Sequence, residues 1–381
     1  MIKKFLEGSQ AIAEIINLIK PDVVCAYPIT PQTHIVEDLA QLKADGKATY
    51  DYIRSESEFA AASIVLGASA AGSRTYTATS SQGLLLMTEV LFNIAGMRLP
   101  VVMTCANRAI SAPINIWNDQ QDIMTVRDAG IILLFAENNQ ESINLHLLAY
   151  KVAEKTNLPV IVNVDGFVLT HTMEPILMPE DKKVQSFVKK YQPKEGAYLN
   201  TDNPCAMGCV AAPEVYMEIR QELHDDLIKS KETLVKSAKE FESIFGLKQE
   251  GLVEYFGHPK AKTIFVAMGS VCSTIKQVLS NQLKNEKIGL LKVISLRPFP
   301  SEEIYEFLKK AKNIAVLDKS ISLGADGVLA GEIKRSMQGK LKSKIQSFIV
   351  GLGGRDVRER MIVDIAKKVE EKGDEVTFVG K

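Results

Sequence analysis

The feature that most restricts the fold of this chain is an alternation in its first half. Short apolar or β-branched runs (Val23–Ala26, Ala48–Ile53, Thr75–Thr79, Val101–Thr104, Ile131–Phe135 and Val160–Val164) are separated by stretches of helical periodicity at Ile12–Ile19, Glu56–Ala71, Gly83–Ala95 and Gln140–Ala153. Runs of that length and composition read as strands buried on both faces, and helices between successive strands make the sheet mostly parallel. The expectation is a doubly wound α/β domain over residues 1–175.

Residues 176–258 change character. Polar, proline-containing sequence leads into a charged segment where Leu227, Leu234, Ala238, Phe241 and Phe245 form one apolar stripe. This reads as a helical connector packed on the first domain. Residues 259–381 read as a second α/β domain, with strands at Thr263–Ala267, Gly289–Val293, Ile314–Leu317 and Ser347–Val350. Its turns fall at Gly269-Ser270, Arg297–Pro300 and Gly351–Asp356.

Composition excludes several function classes. A chain of 381 residues exceeds one ordinary core, in keeping with two or more domains. Its 46 basic residues balance 46 acidic ones, which leaves no electrostatic argument for nucleic acid or an anionic membrane as partner. The most apolar region, Leu84–Cys105, is broken by Glu89 and Arg98 and is core, not a membrane span. Near the N-terminus, Glu7 interrupts before a signal-peptide apolar stretch can form.

The five cysteines lack a framework spacing, which points to a reducing cytoplasm. They also lack the clustered thiolates an iron–sulfur centre needs, Cys205 and Cys209 included. The histidines at 34, 146, 171, 224 and 258 show no metal-ligand spacing, so no metal site is expected here. His146 lies in an apolar helical stretch and reads as packed.

Ligands of open α/β sheets sit at the carboxyl ends of strands, and three turns there carry chemistry. In Tyr27-Pro28-Ile29-Thr30-Pro31-Gln32-Thr33 two prolines stiffen the backbone and present Thr30. Ser80-Ser81-Gln82-Gly83 offers backbone donors that either bind an anion or are capped by Ser81. The run Asn107–Asp122 contains Arg108, Asn115, Asp119 and the only Trp. Arg108 suits a small oxoacid carboxylate, with a surface ion pair as the alternative.

Glu58 opens a helix rich in small residues. It stands three residues after Ser55, the spacing of a capping box. Spacing alone therefore fits a cap as well as a carboxylate that grips a heterocycle. The Gly351–Asp356 turn lacks nucleotide-binding spacing and reads as structural. No G-x-S-x-G elbow or Cys/His pairing supports a hydrolase.

Tyr27–Pro31, Glu56-Ser-Glu58, Thr79–Gly83, Asn107–Asp122, Leu296–Pro300, Asp318–Ser322 and Gly351–Asp356 occur in an order that resembles one family nearly end to end. It is that of the alpha subunits of multi-subunit 2-oxoacid:ferredoxin oxidoreductases, the pyruvate type nearest. The resemblance implies a thiamine-diphosphate-binding domain of the pyrimidine type, followed by a domain like the transketolase C-terminal domain. Glu58, rather than Glu56, is expected to hydrogen-bond N1′ of the aminopyrimidine. That bond favours the imino tautomer, whose 4′ nitrogen deprotonates the thiazolium.

Thr30 and Arg108 match residues that hold the substrate's oxo and carboxylate groups. Ser81, Gln82 and Gly83 are expected beside the cofactor, and Tyr27, Pro28, Ile29, Asn115 and Asp119 at the site rim. The reaction implied is decarboxylation of a 2-oxoacid, with electrons passed to iron–sulfur clusters and the acyl group to coenzyme A. No Gly-Asp-Gly for the diphosphate and Mg²⁺ occurs, and Val164-Asp165-Gly166-Phe167 is not that motif.

Partner chains are therefore expected to complete the enzyme: a beta subunit with the diphosphate and Mg²⁺ site, gamma and delta subunits with [4Fe-4S] clusters, and ferredoxin as acceptor. Another 2-oxoacid (2-oxoisovalerate, an arylpyruvate or 2-oxoglutarate) is the nearest alternative. A nucleotide-binding or structural α/β protein is the distant one.

Overall fold

A computed structural model describes residues 1–371 and 376–380. The chain begins with β1 (Ile2–Glu7), α1 (Gly8–Ile19), β2 (Val23–Ala26), α2 (Thr33–Ala44) and β3 (Asp51–Arg54). Then come α3 (Glu58–Ala70), β4 (Thr75–Thr79), α4 (Ser81–Leu86), α5 (Thr88–Gly96) and β5 (Val102–Asn107). α6 (Gln121–Thr125), β6 (Ile132–Phe135), α7 (Asn139–Thr156), β7 (Val160–Asp165) and β8 (Met173–Met178) follow. α8 (Asp181–Phe187) and the long α9 (Pro213–Phe245) lead to β9 (Val253–Gly257), β10 (Thr263–Ala267), α10 (Val271–Ser280) and β11 (Ile288–Val293). The remainder is β12 (Ser295–Arg297), α11 (Ser301–Leu308), β13 (Asn313–Asp318), α12 (Val328–Met337), β14 (Lys344–Ile349), α13 (Glu359–Lys368) and β15 (Val376–Phe378).

The first sheet has the order β12-β6-β7-β5-β4-β2-β3 and is parallel except at β12. Successive side chains of a strand point to opposite faces. Along β5, Val102 and Ala106 enter the core under α1, α2 and α7, while Met103 and Cys105 enter the one under α3 and α5. Both faces are covered, which is why these strands read as near-continuous apolar runs. The second sheet, β15-β14-β13-β10-β11-β9, is parallel except at β9. Its β10 likewise sends Ile264 and Val266 to one core and Phe265 and Ala267 to another.

The structure departs from the sequence reading in four places. The stretch read as one helix over Gly83–Ala95 is two, α4 and α5, which meet at Met87. β3 starts at Asp51 and not Ala48, because Tyr50 turns inward and donates its hydroxyl to Leu39 O at 2.7 Å. β8 crosses residue 175 and pairs antiparallel with β1, so the polar connector begins after Met178. β12 comes from the second unit, yet extends the first sheet by pairing antiparallel with β6. Three residues carry too little periodicity to announce a strand; only the pairing defines it.

The long helix α9 buries Leu234, Ala238, Phe241 and Phe245, and Phe187 of α8 packs edge-on against both phenylalanines. Its Glu240 meets Lys151 of α7 at 2.6 Å. No helix among the described residues is long and apolar enough to cross a membrane.

Two further devices lock the units together. One apolar core runs from α3 and α5 through to β10, β11, β13 and α12. Beside it Lys292 of β11, only 3 % exposed, is ringed by Glu137 at 2.8 Å, Glu141 at 3.0 Å and Glu254 at 2.5 Å. Burial opposes the Lys292 charge, but the three carboxylates outweigh it and raise its pKa well above the ordinary lysine value.

Candidate functional site

The chemistry-bearing turns follow β2, β4 and β5, which are neighbours in the sheet, so segments distant in sequence meet at one edge. The first turn is fastened by Gln32, fully buried. Its Nε2 donates to Ala78 O of β4 at 2.7 Å, and its Oε1 accepts from the Ile29 N–H at 3.2 Å. Above that anchor Tyr27, Pro28 and Thr30 are exposed and Ile29 is half-buried. The stiffness expected from prolines is thus joined by a side-chain anchor. No local pattern marked Gln32 for that part.

Asp122 ties the second turn to the third. It is fully buried, and its Oδ2 accepts the backbone N–H of Ser81 at 3.0 Å and of Arg108 at 2.9 Å. Its Oδ1 accepts from Asn107 Nδ2 at 3.0 Å. Burial pushes its carboxyl up to about 6, against the hydrogen bonds from Arg108, Asn107 and Ser81. In the sequence Asp122 is only the end of a polar run. Nothing short-range distinguishes a buried acceptor from a solvated acid.

Ser81 does not cap its helix. Ser80 holds the N-cap position of α4 and makes no side-chain cap bond. Ser81 is left-handed at φ 48, a conformation costing about 1–3 kcal/mol for a residue with a Cβ. Its N–H bond to Asp122 and its hydroxyl bond to Ala109 O at 2.5 Å hold it there. Gln82 is half-buried and Gly83 buried.

Arg108 is 9 % exposed. Its Nη1 donates to the Thr30 carbonyl at 2.8 Å and its Nε to the Asn115 carbonyl at 3.1 Å. It makes no ion pair among the described residues, so the surface-pair alternative does not hold. Burial lowers its pKa from the ordinary arginine value, while the Asp122 carboxylate pushes it back up. A buried cation whose partners are neutral carbonyls is short of an anion.

Glu58 is without a partner among the described residues. The N-cap of α3 is Ser57, whose side chain accepts from Ala60 N at 3.1 Å, and not Ser55. Glu58 falls in the first turn, 8 % exposed, and its carboxylate accepts no hydrogen bond and meets no cation among the described residues. The capping-box reading is corrected: Glu58 has no local structural duty. Gly83 faces it, and a Cβ there would stand 2.7 Å from Glu58 Oε1 and 2.5 Å from Thr79 Oγ1. The hydroxyls of Thr79 and Ser80 next to this cradle are buried and unpartnered. An unpaired carboxylate and two orphaned hydroxyls, with the carboxylate packed against a glycine that leaves no room for a side chain, fit an aminopyrimidine, which has donors and acceptors on one rigid ring.

The side chains of Asn115 and Asp119, expected at the rim, both bond to the second unit. Asn115 Nδ2 donates to Gly353 O at 3.1 Å, and Asp119 Oδ2 accepts from Gly353 N at 3.0 Å. These bonds seat the Asn107–Asp122 run on the glycine-rich turn of the second unit. Gly354 has φ 81, and a Cβ on it would overlap that of Trp117. The turn is structural, as its spacing suggested. Gly354→Ala is expected to cost about 1–3 kcal/mol through left-handed strain alone, read as a lower calorimetric midpoint; an unchanged midpoint would mean the loop is not seated there.

Asp165 is fully buried and joins the same interface. Lys319 Nζ lies 3.1 Å from its Oδ2, and Ser270 N and Gln120 Nε2 donate to it at 3.0 and 3.1 Å. Burial alone would raise its pKa, but Lys319 and these bonds hold it below the ordinary value. His146 is packed, between Thr104 Oγ1 at 2.6 Å and Ser142 O at 2.7 Å, and burial lowers its pKa to about 4.

Comparison with known proteins places the chain in a family. Residues 16–239 match the thiamine-diphosphate-binding domain of pyruvate flavodoxin/ferredoxin oxidoreductases, and residues 261–362 match core domain II of pyruvate:ferredoxin oxidoreductase. Pyruvate synthase subunit PorA of Methanocaldococcus jannaschii is 47% identical over 380 residues, 98% of this chain and 97% of that protein. Ketoisovalerate oxidoreductase subunit VorA of Pyrococcus horikoshii is 40% identical over 98% of this chain and 95% of that protein.

Among solved structures, a 2-oxoglutarate:ferredoxin oxidoreductase from Magnetococcus marinus, with 2-oxoglutarate, coenzyme A and succinyl-CoA bound, shares the fold. Its TM-score is 0.72 at 20% identity, over 97% of this chain and 65% of that one. The chain belongs to the pyruvate flavodoxin/ferredoxin oxidoreductase family.

Proposed function

We propose that the chain is the alpha subunit of a pyruvate:ferredoxin oxidoreductase, which converts pyruvate and coenzyme A to acetyl-CoA and carbon dioxide, reversibly, with electrons passed to ferredoxin. The observation that carries this reading is a pair of buried opposite charges at one sheet edge, Glu58 and Arg108, neither of which has an ion-pair partner among the described residues. Thiamine diphosphate, when bound, supplies a carbon nucleophile that adds to the oxoacid carbonyl and takes up the electron pair left by decarboxylation.

Glu58 holds a proton against N1′ of the aminopyrimidine and so sets its tautomer. Gly83 lets the Glu58 and Thr79 side chains close on the backbone there, which fixes the carboxylate, and the Thr79 and Ser80 hydroxyls take up the ring's remaining polar atoms. Arg108 binds the substrate carboxylate through the guanidinium edge its two carbonyl bonds leave open. The Thr30 hydroxyl, exposed on a turn anchored by Gln32, orients the oxo group. Asp122 is the positioning residue, fixing Ser81 and Arg108 relative to each other.

The rest of the enzyme lies on partner chains: the diphosphate and Mg²⁺ site on a beta subunit, [4Fe-4S] clusters on gamma and delta subunits. Arg108→Lys keeps the charge and loses the planar fork. It is expected to raise KM for the oxoacid by about tenfold or more, the worth of one lost charge-assisted hydrogen bond, in initial-rate assays of the complex. An unchanged KM would remove Arg108 from the substrate site.

A second reading, a branched-chain 2-oxoacid as substrate, is favoured by the identity to the ketoisovalerate subunit. Oxidation of each 2-oxoacid by the purified complex, with ferredoxin or viologen as acceptor, separates the two. Higher kcat/KM on 2-oxoisovalerate than on pyruvate would overturn the pyruvate assignment.

A further inference from the structure

The histidines have no metal-ligand spacing in sequence, but the fold brings two of them and a glutamate to one point. Glu7 ends β1, His34 is the second residue of α2, directly after the Tyr27–Thr33 turn, and His171 lies between β7 and β8. One ligand atom from each lies within 4.8 Å of the other two. Glu7 Oε1 and His34 Nδ1 are 2.7 Å apart, and the His34 and His171 rings are 4.4 Å apart between centroids. We propose that Glu7, His34 and His171 form a binding site for one divalent transition-metal ion, with Zn²⁺ the best fit.

The ligand set supports the choice of metal. Two imidazoles and a carboxylate suit zinc, which accepts three protein ligands and a water in tetrahedral array. Bond lengths of about 2.0–2.2 Å place tetrahedral ligand atoms about 3.3–3.6 Å apart, so small side-chain rotations bring the three atoms onto one ion. Thr170 Oγ1 engages His171 Nδ1 at 2.8 Å, which leaves Nε2 as the ring atom for a metal. A hydrogen-bonded distal nitrogen is the usual means of orienting a ligating histidine.

Glu7 occupies the N-cap position of α1, yet its side chain makes no cap bond there and turns to His34 instead. All three residues are half-buried, so an ion has access. A hydrogen bond joins Glu7 to His34 alone; His171 reaches the same point from its own segment, held by Thr170 and Phe167.

The position gives the site a consequence. The His171 ring packs at a tilt on Phe167 with centroids 4.7 Å apart, and Phe167 likewise on Trp117 at 4.6 Å. An aromatic row therefore runs from this cluster to the loop that carries Arg108 and Asn115. A bound ion ties β1, the start of α2 and the segment after β7 together beneath the substrate turn. Its role is to stiffen that turn; it takes no part in the reaction.

The test is titration of the tag-free, full-length, chelator-stripped chain with Zn²⁺ and with Co²⁺. One equivalent of Zn²⁺ is expected to bind and raise the thermal midpoint, and Co²⁺ is expected to show d–d bands without thiolate charge transfer. His34→Ala, His171→Ala and the milder Glu7→Gln each abolish that equivalent, Thr170→Val weakens it by about 10–100-fold, and Cys205→Ser with Cys209→Ser leaves it intact. Circular dichroism establishes that each variant is folded, and Glu7→Gln serves if a histidine variant is not. No stoichiometric binding by the unaltered chain, full binding by folded variants of the cluster, or loss on removing the two cysteines would each overturn the site.

Discussion

Replacing Glu58 by Gln is expected to leave the chain folded and assembled and to reduce turnover by about 10²–10⁴-fold, the range for loss of a positioned acid–base group. The stability part follows from the cap of α3, which is Ser57. Gln keeps the size of the side chain, and no hydrogen bond to the Glu58 carboxylate exists among the described residues to be lost. The activity part follows from charge. A neutral amide does not hold N1′ protonated, so the tautomer the chemistry needs is no longer favoured. The measurement is kcat of the reconstituted complex beside the thermal midpoint of the same preparation. Turnover equal to that of the unaltered protein would remove Glu58 from catalysis; a large loss of stability would restore it to a structural role.

The second large effect is on stability. Lys292→Met leaves Glu137, Glu141 and Glu254 packed around an apolar side chain, with Lys276 the remaining cation, 2.7 Å from Glu137 and 3.1 Å from Glu254. Breaking a buried pair from one side costs about 3–5 kcal/mol, because the charges left behind stay desolvated. The cost falls at the junction of the two units, since Glu137 precedes α7 and Lys292 lies on β11. Calorimetry should show a midpoint well below that of the unaltered chain, and a shift within error would mean water already screens the cluster.

The same ring sets an acid limit. Burial alone would raise the pKa values of Glu137 and Glu254, but Lys292 and Lys276 outweigh it and hold both below the ordinary 4.5. A carboxyl depressed in the folded state contributes stability that is fully present above its unfolded pKa and is lost as pH falls through the folded one. Lys292, raised by the same charges, keeps its contribution across the neutral range. The unaltered chain should therefore lose stability as pH drops below about 4.5. Lys292→Met should be destabilised at neutral pH and show a shallower decline there.

Much of the architecture was legible in the sequence because it rests on short-range pattern. β2, β4 and β10 lie where apolar runs between turns put them, since a strand buried on both faces must be apolar throughout. The position of ligand chemistry at turns after β2, β4 and β5 follows from the same parallel topology. The three-residue β12 was not legible: its partner β6 lies about 160 residues earlier, and pairing at that separation leaves no local mark.

For the site, the sequence by itself determined which chemistry stands at which turn: a carboxylate at Glu58, a guanidinium at Arg108, a stiff turn around Thr30. Tertiary structure decided which of those groups are already engaged. It gives the Asn115 and Asp119 side chains to Gly353 and makes Asp122 the link between Ser81 and Arg108. Among the described residues it leaves the Glu58 carboxylate without a partner and Arg108 with two carbonyls but no ion pair. It also gathers Glu7, His34 and His171 from three separate segments. The physical reason is one of range. Periodicity and turn chemistry act over a few residues, whereas a buried polar atom is satisfied by whatever the fold brings within about 3 Å of it, from anywhere in the chain.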